Sequence, residues 1–114
     1  MLTIETLRAF GANLEEALPR CLNNEAFYLR LVRMGAMDKN FALLNEAMER
    51  NDRKAAFEAA HALKGVLSNL ALTPLVRPVS EITELLRHQA EADYAPLLKE
   101  INEQHAALLA LIRE

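Results

Sequence analysis

A chain of 114 residues, 52% of them apolar, suits one domain built on one core and leaves little room for two. Leu occurs 21 times and Ala 19, against 12 for Val, Ile and Thr together; this favours helix, where unbranched side chains lose little rotamer freedom. Three Gly and four Pro are too few for a disordered linker or a loop-rich all-β domain, and a net charge of −3 with no basic block disfavours nucleic-acid binding.

In chain order, the start Met1-Leu2-Thr3-Ile4-Glu5 lacks a basic segment with an apolar core and is not expected to be a secretory signal. Thr3 can cap a short helix to about Phe10, with Gly11 at its end. A second short piece follows Asn13 and meets Pro19, a poor helix-interior residue. Cys21 is the one cysteine, so no internal disulfide forms; a reducing, cytoplasmic setting and a core or boundary thiol are expected. Asn23-Asn24 opens a long helical stretch over roughly 24–50, with a stripe of Phe27, Tyr28, Leu31 and Met34 continued by Phe41, Leu44, Ala47 and Met48. Gly35 and Asp38-Lys39-Asn40 bend or split it.

Asn51-Asp52 makes a joint and a cap for a helix over roughly 52–70. Thr73-Pro74 starts the next, over roughly 73–90, in which Pro78 is expected to kink the first turn or delay the helix. Asp93 caps the last, 93–113, whose stripe is Tyr94, Leu97, Ile101, Leu108 and Ile112. Its apolar run from Ala106 to Ile112 is far too short to span a membrane. The expectation is an all-α chain forming one domain over 1–114: an antiparallel up-and-down four-helix bundle with short N-terminal helical segments.

The 52–70 helix breaks the pattern. At about 100° per residue with His61 at zero, Ala55, Ala56, Ala59, Ala60, Leu63, Val66, Leu67 and Leu70 fall between roughly 120° and 260°, the core arc. Phe57, Glu58, Lys64, Gly65 and Ser68 lie within about 60° of His61 on the opposite face. Gly65 costs about 1 kcal/mol against the alanine used freely nearby, and its missing side chain leaves the imidazole approachable. Phe57 is expected to be a solvent-facing aromatic of the kind that marks a docking surface. The bland readings (a surface histidine, a solvated lysine, a drifted glycine) weigh about equally against a functional one on spacing alone.

The string His61-Ala62-Leu63-Lys64-Gly65, followed by Val66 to Ala71, resembles the H-x-L-K-G motif of histidine-containing phosphotransfer domains. Asp52, the alanine-rich 55–60 run and the 75–86 helix are similar to the family's surroundings of that motif. Ala71, where members often carry Gly, and Pro78 depart from it. The resemblance implies that His61 accepts a phosphoryl group on Nε2 from a receiver-domain aspartate and passes it to another. Lys64 would stabilise charge on the transferring oxygens, Gly65 would give steric access, and Ser68 would donate a hydrogen bond to a phosphoryl oxygen or a bridging water. Phe57, Glu58, Lys54 and Leu72 form the expected docking face.

The expected partners are receiver domains of a response regulator or hybrid histidine kinase, with Mg²⁺ on the receiver and with no cofactor or metal on this chain. No membrane partner is expected, and the chain is expected to be a monomer. Gly11, Gly35 and Gly65 are isolated and make no phosphate-cradling loop, so no ATP site or kinase activity is expected. His88 reads as a surface residue and His105 as a packed or boundary one. The alternative is an adaptor bundle that binds a partner through the Phe57/His61 face without chemistry. Whether the chain is a free-standing relay or a piece of a sensor kinase stays open.

Overall fold

The computed structural model describes residues 1–113, and every regular element among them is a helix. In chain order these are α1 (Ile4–Phe10), α2 (Leu14–Arg20), α3 (Glu25–Ala36), α4 (Asn40–Glu49), α5 (Arg53–Asn69), α6 (Thr73–Arg87) and α7 (Ala95–Arg113). The fold is an all-helical bundle. α5 packs on α4 and α6, α6 also packs on α7, and α3 leans on α7.

The caps are largely those written in the sequence. The Thr3 hydroxyl accepts the Thr6 amide and Thr6 returns the bond to the Thr3 amide, a reciprocal cap at the start of α1. Gly11 ends α1 at φ 115°, and a Cβ there would lie 2.8 Å from the ring of Pro74, so both backbone and space require glycine. Asn13, Asn24 and Asp52 each accept an amide of the following first turn.

The 24–50 stretch is two helices. The Asp38 carboxylate accepts both the backbone and the side-chain N–H of Asn40 at 2.8 and 2.9 Å, a local bonding pattern that competes with helix and divides α3 from α4. Pro78 neither kinks the start of α6 nor delays it. The helix begins at Thr73, Pro74 occupies the first turn, and only one amide bond, to the Pro74 carbonyl, is lost at Pro78, whose ring is buried. α6 stops at Arg87 because Gln89 turns left-handed at φ 51°, which leaves Gln89 off the core stripe. α7 starts at Ala95, whose amide is held by the Asp93 carboxylate at 3.1 Å.

Three tethers fix the C-terminal end of α5. The Tyr28 hydroxyl, buried on α3, donates to the Leu70 carbonyl at 2.8 Å. The Arg20 guanidinium donates to the Ser68 and Asn69 carbonyls at 3.1 and 2.9 Å, placing a cation at the negative end of the helix dipole. Gly35 lets α3 approach closely, since a Cβ there would be 2.7 Å from Leu70 Cδ1. After the helix, Ala71 is left-handed at φ 53°. A non-glycine residue there is strained by roughly 1–2 kcal/mol, which gives a physical reason for glycine at this turn.

Candidate functional site

The buried residues of α5 are Ala56, Ala59, Ala60, Leu63 and Leu67, as the helical stripe requires. The exposed ones are Lys54, Glu58, His61, Ala62, Gly65 and Asn69. On the same wheel that set occupies roughly 0–100°. The solvent face is thus centred between Gly65 and Glu58, and His61 stands at its edge. Phe57, Lys64 and Ser68 lie on the other side of His61, against α6, and are half-buried. Sequence periodicity finds a helix's core side, but it cannot say how far each neighbouring helix wraps around it.

The consequence is sharpest for Phe57. Its ring is not an open anchor: it packs on the core margin and stacks on the His61 imidazole, centroids 5.5 Å apart and planes 19° from parallel. The Arg87 guanidinium covers Phe57 at 5.1 Å from the ring centre. Arg87 Nε in turn donates to Glu84 Oε2 at 3.0 Å. That bond is the main cause holding the Glu84 carboxyl below the usual carboxylate range, with the charges of Arg87, Lys64 and His88 adding to it against desolvation. α6 therefore supplies a guanidinium over the ring that stacks on the histidine and a carboxylate bonded to that guanidinium, and Lys64 adds its charge to the carboxylate.

On the other side of His61 the surface is apolar and open. A Cβ on Gly65 would meet nothing within 4 Å. Gly65, Val66 and Asn69 border a shallow groove whose opposite wall is Leu31, Met34 and Gly35 of α3. Phe27 is 42% exposed and Met34 63%, while Leu31 is half-buried. α3 carries two stripes: Tyr28, Val32 and Ala36 enter the core, whereas Phe27, Leu31 and Met34 at i, i+4 and i+7 stay nearer the surface, Leu31 and Met34 across the groove from Gly65. Reading all four of Phe27, Tyr28, Leu31 and Met34 as core merges these stripes. Their separation by one residue at 27/28 is the signal in the sequence.

A family model, the Hpt domain, matches residues 2–111. The chain belongs to the Hpt domain family. Comparison with curated proteins and with solved structures found no match. Hpt domains are helical phosphocarrier modules of phosphorelays rather than catalysts in their own right, so a histidine phosphotransfer role follows from membership.

Within this Hpt domain the remaining expected site residues scatter. Lys54 and Glu58 are exposed on α5, Lys54 about 10 Å along the axis from His61. Ser68 is equally far in the other direction, two turns on, which is out of direct hydrogen-bond reach of a group on the imidazole. Leu72 is completely buried at the N-cap of α6, its amide donating to the Leu67 carbonyl at 3.1 Å. It is a core residue and not part of a docking face. The turn at Ala71 rotates it inward, which a wheel drawn for α5 does not follow.

The other histidines lie elsewhere. His88 is exposed at the end of α6. His105 is half-buried on α7, stacked on Phe41 at 3.6 Å with Nε2 2.8 Å from the Ala36 carbonyl oxygen. Cys21 is buried. Among the described residues no group of three or more His, Cys, Asp or Glu side chains is placed to hold a metal ion, and no helix is long and apolar enough to cross a membrane. Arg87 over Phe57, its partner Glu84, and the groove wall of Leu31 and Met34 are the surroundings of α5 that the sequence alone did not reveal.

Proposed function

We propose that this Hpt domain relays a phosphoryl group through His61 between receiver-domain aspartates. The observation that supports the reading best is the placing of His61. It is an exposed imidazole on a helix, bordered on one side by empty space over Gly65 and on the other by Phe57, whose ring carries the Arg87 guanidinium, with Lys64 one turn on. In the forward step His61 Nε2, neutral with its proton on Nδ1, attacks the phosphorus of an aspartyl phosphate in line. The Nε2–P bond forms as the bond from phosphorus to the carboxylate oxygen breaks, and the aspartate leaves with the electron pair. The ring keeps its Nδ1 proton until that proton exchanges with water. The reverse of these events loads the next receiver.

Lys64 and Arg87 would offset charge on the equatorial phosphoryl oxygens. In-line geometry and Mg²⁺ would come from the receiver, because phosphoryl transfer rests on positioning and charge stabilisation. The receiver would sit over Gly65, with the Phe27, Leu31 and Met34 stripe taking its apolar contact. A cytoplasmic location belongs to the same proposal. The test is incubation with a phosphorylated receiver domain. Acid-labile, base-stable label is expected on the wild-type protein and none on His61→Gln of unchanged helix content. A wild-type protein that binds the receiver yet takes no label would overturn the relay and leave an adaptor.

A further inference from the structure

The carboxylate of Glu84 bonds the guanidinium that covers Phe57, the ring stacked on His61, and has no place in the relay chemistry. Its bridge to Arg87 is half-exposed on both sides, 44% and 51%, and spans one helical turn of α6. Bridges of that kind contribute little to stability, so it does not explain itself as a structural strut. Its geometric effect is specific, however. It steers the Arg87 guanidinium onto the face of Phe57, the ring that stacks on His61. Lys64, from α5, adds its field to the same carboxylate. Arg87 is thus bonded to Glu84, and Lys64, one turn after His61 on α5, feels the field of the same anion.

We infer that Glu84 is an internal stand-in for the phosphoryl group: it holds Arg87 beside the empty imidazole and yields it when His61 is loaded. This rests on the reading that His61 carries phosphate. A phosphoryl group bears up to two negative charges and three acceptor oxygens, and it engages a guanidinium in a bidentate manner that a half-exposed monodentate carboxylate cannot match. Arg87 is on a flexible stem and covers Phe57 without a buried anchor, so it is free to change rotamer and leave the carboxylate. Glu84 is then a positioning residue. It keeps the cation ordered in the empty state, and by competing it keeps phospho-His61 from becoming too stable to hand its cargo on.

The experiment loads the full chain chemically with phosphoramidate, which requires no partner. The P–N bond of the reagent breaks, ammonia departs, and the new bond forms at imidazole Nε2. Loading of His61 is followed through its own imidazole resonances, and the Arg87 Nε–H resonance is followed alongside. On loading, the Arg87 resonance should shift in the wild type. Glu84→Gln should lengthen the lifetime of phospho-His61 and move the equilibrium with a receiver toward the loaded Hpt domain by roughly three- to tenfold. Arg87→Gln should move it the other way, and Glu84→Gln in the Arg87→Gln background should lose most of its effect. An Arg87 resonance indifferent to loading, or a Glu84→Gln equilibrium equal to wild type, would overturn the inference. Failure of receiver transfer with the chemical shifts intact would instead overturn the relay reading alone.

Discussion

Gly65→Ala separates a glycine kept for access from one kept for folding. Position 65 lies inside α5, four residues from its end, and an added Cβ meets nothing within 4 Å. The only terms left are intrinsic, the helix propensity and the unfolded-state entropy that glycine wastes, and together they favour alanine by about 1 kcal/mol. For a domain of this size that raises Tm by roughly 4 °C. The same substitution at Gly35 places its Cβ 2.7 Å from Leu70 Cδ1 and 3.4 Å from Val66. Overpacking there should erode the gain by about 1–3 kcal/mol relative to Gly65→Ala. Thermal melts of both variants, with transfer rates from a phosphorylated receiver measured in parallel, check the argument. Gly65→Ala should melt higher and accept phosphate more slowly, and Gly65→Leu more slowly still. Wild-type transfer rates in both position-65 variants would refute the access argument.

Met34→Asp, at an exposed site on the groove wall, should leave the melt within about 0.5 kcal/mol of wild type while weakening receiver binding severalfold by calorimetry; unchanged binding would place the partner elsewhere. Leu72→Ala should cost about 2–5 kcal/mol in denaturant unfolding, the signature of a buried residue. Burial pushes the Tyr28 phenol up to about 12, with the Cys21 charge adding to it. Since the folded form keeps its proton after the unfolded phenol at about 10 has lost it, this contribution is intact below pH 10 and is lost as pH rises from 10 to 12. The slope reaches up to about 1.4 kcal/mol per unit. Unfolding of wild type and Tyr28→Phe at pH 9 and 11 should show the difference, and parallel curves would contradict it.

Helix order and most caps were legible because they depend on near neighbours: Thr3 with Thr6, Asn13 with Glu16, Asp52 with Ala55. So was the core arc of α5, since a helix repeats its faces regularly. The α3–α4 break was legible as a polar run, though not the Asp38–Asn40 bond that makes it. What could not be read is whatever two helices decide together. Phe57 is half-covered because Arg87 reaches across from another helix, and Leu72 is core because a left-handed Ala71 turns the chain inward. The offset of Phe27 from Tyr28 shows two stripes on α3, but not that α3 is placed so that Met34 faces Gly65 across a groove.

Phosphate mapping on tryptic peptides, kept alkaline after incubation with a phosphorylated receiver, tests the account most directly. Cleavage at lysine and arginine puts the three histidines in three separate peptides. The one running from Ala55 to Lys64 contains His61 and no serine, threonine or tyrosine. One phosphoryl group is expected on that peptide and none on those bearing His88 or His105. Phosphate on either of the other two, with the His61 peptide unmodified, would contradict it.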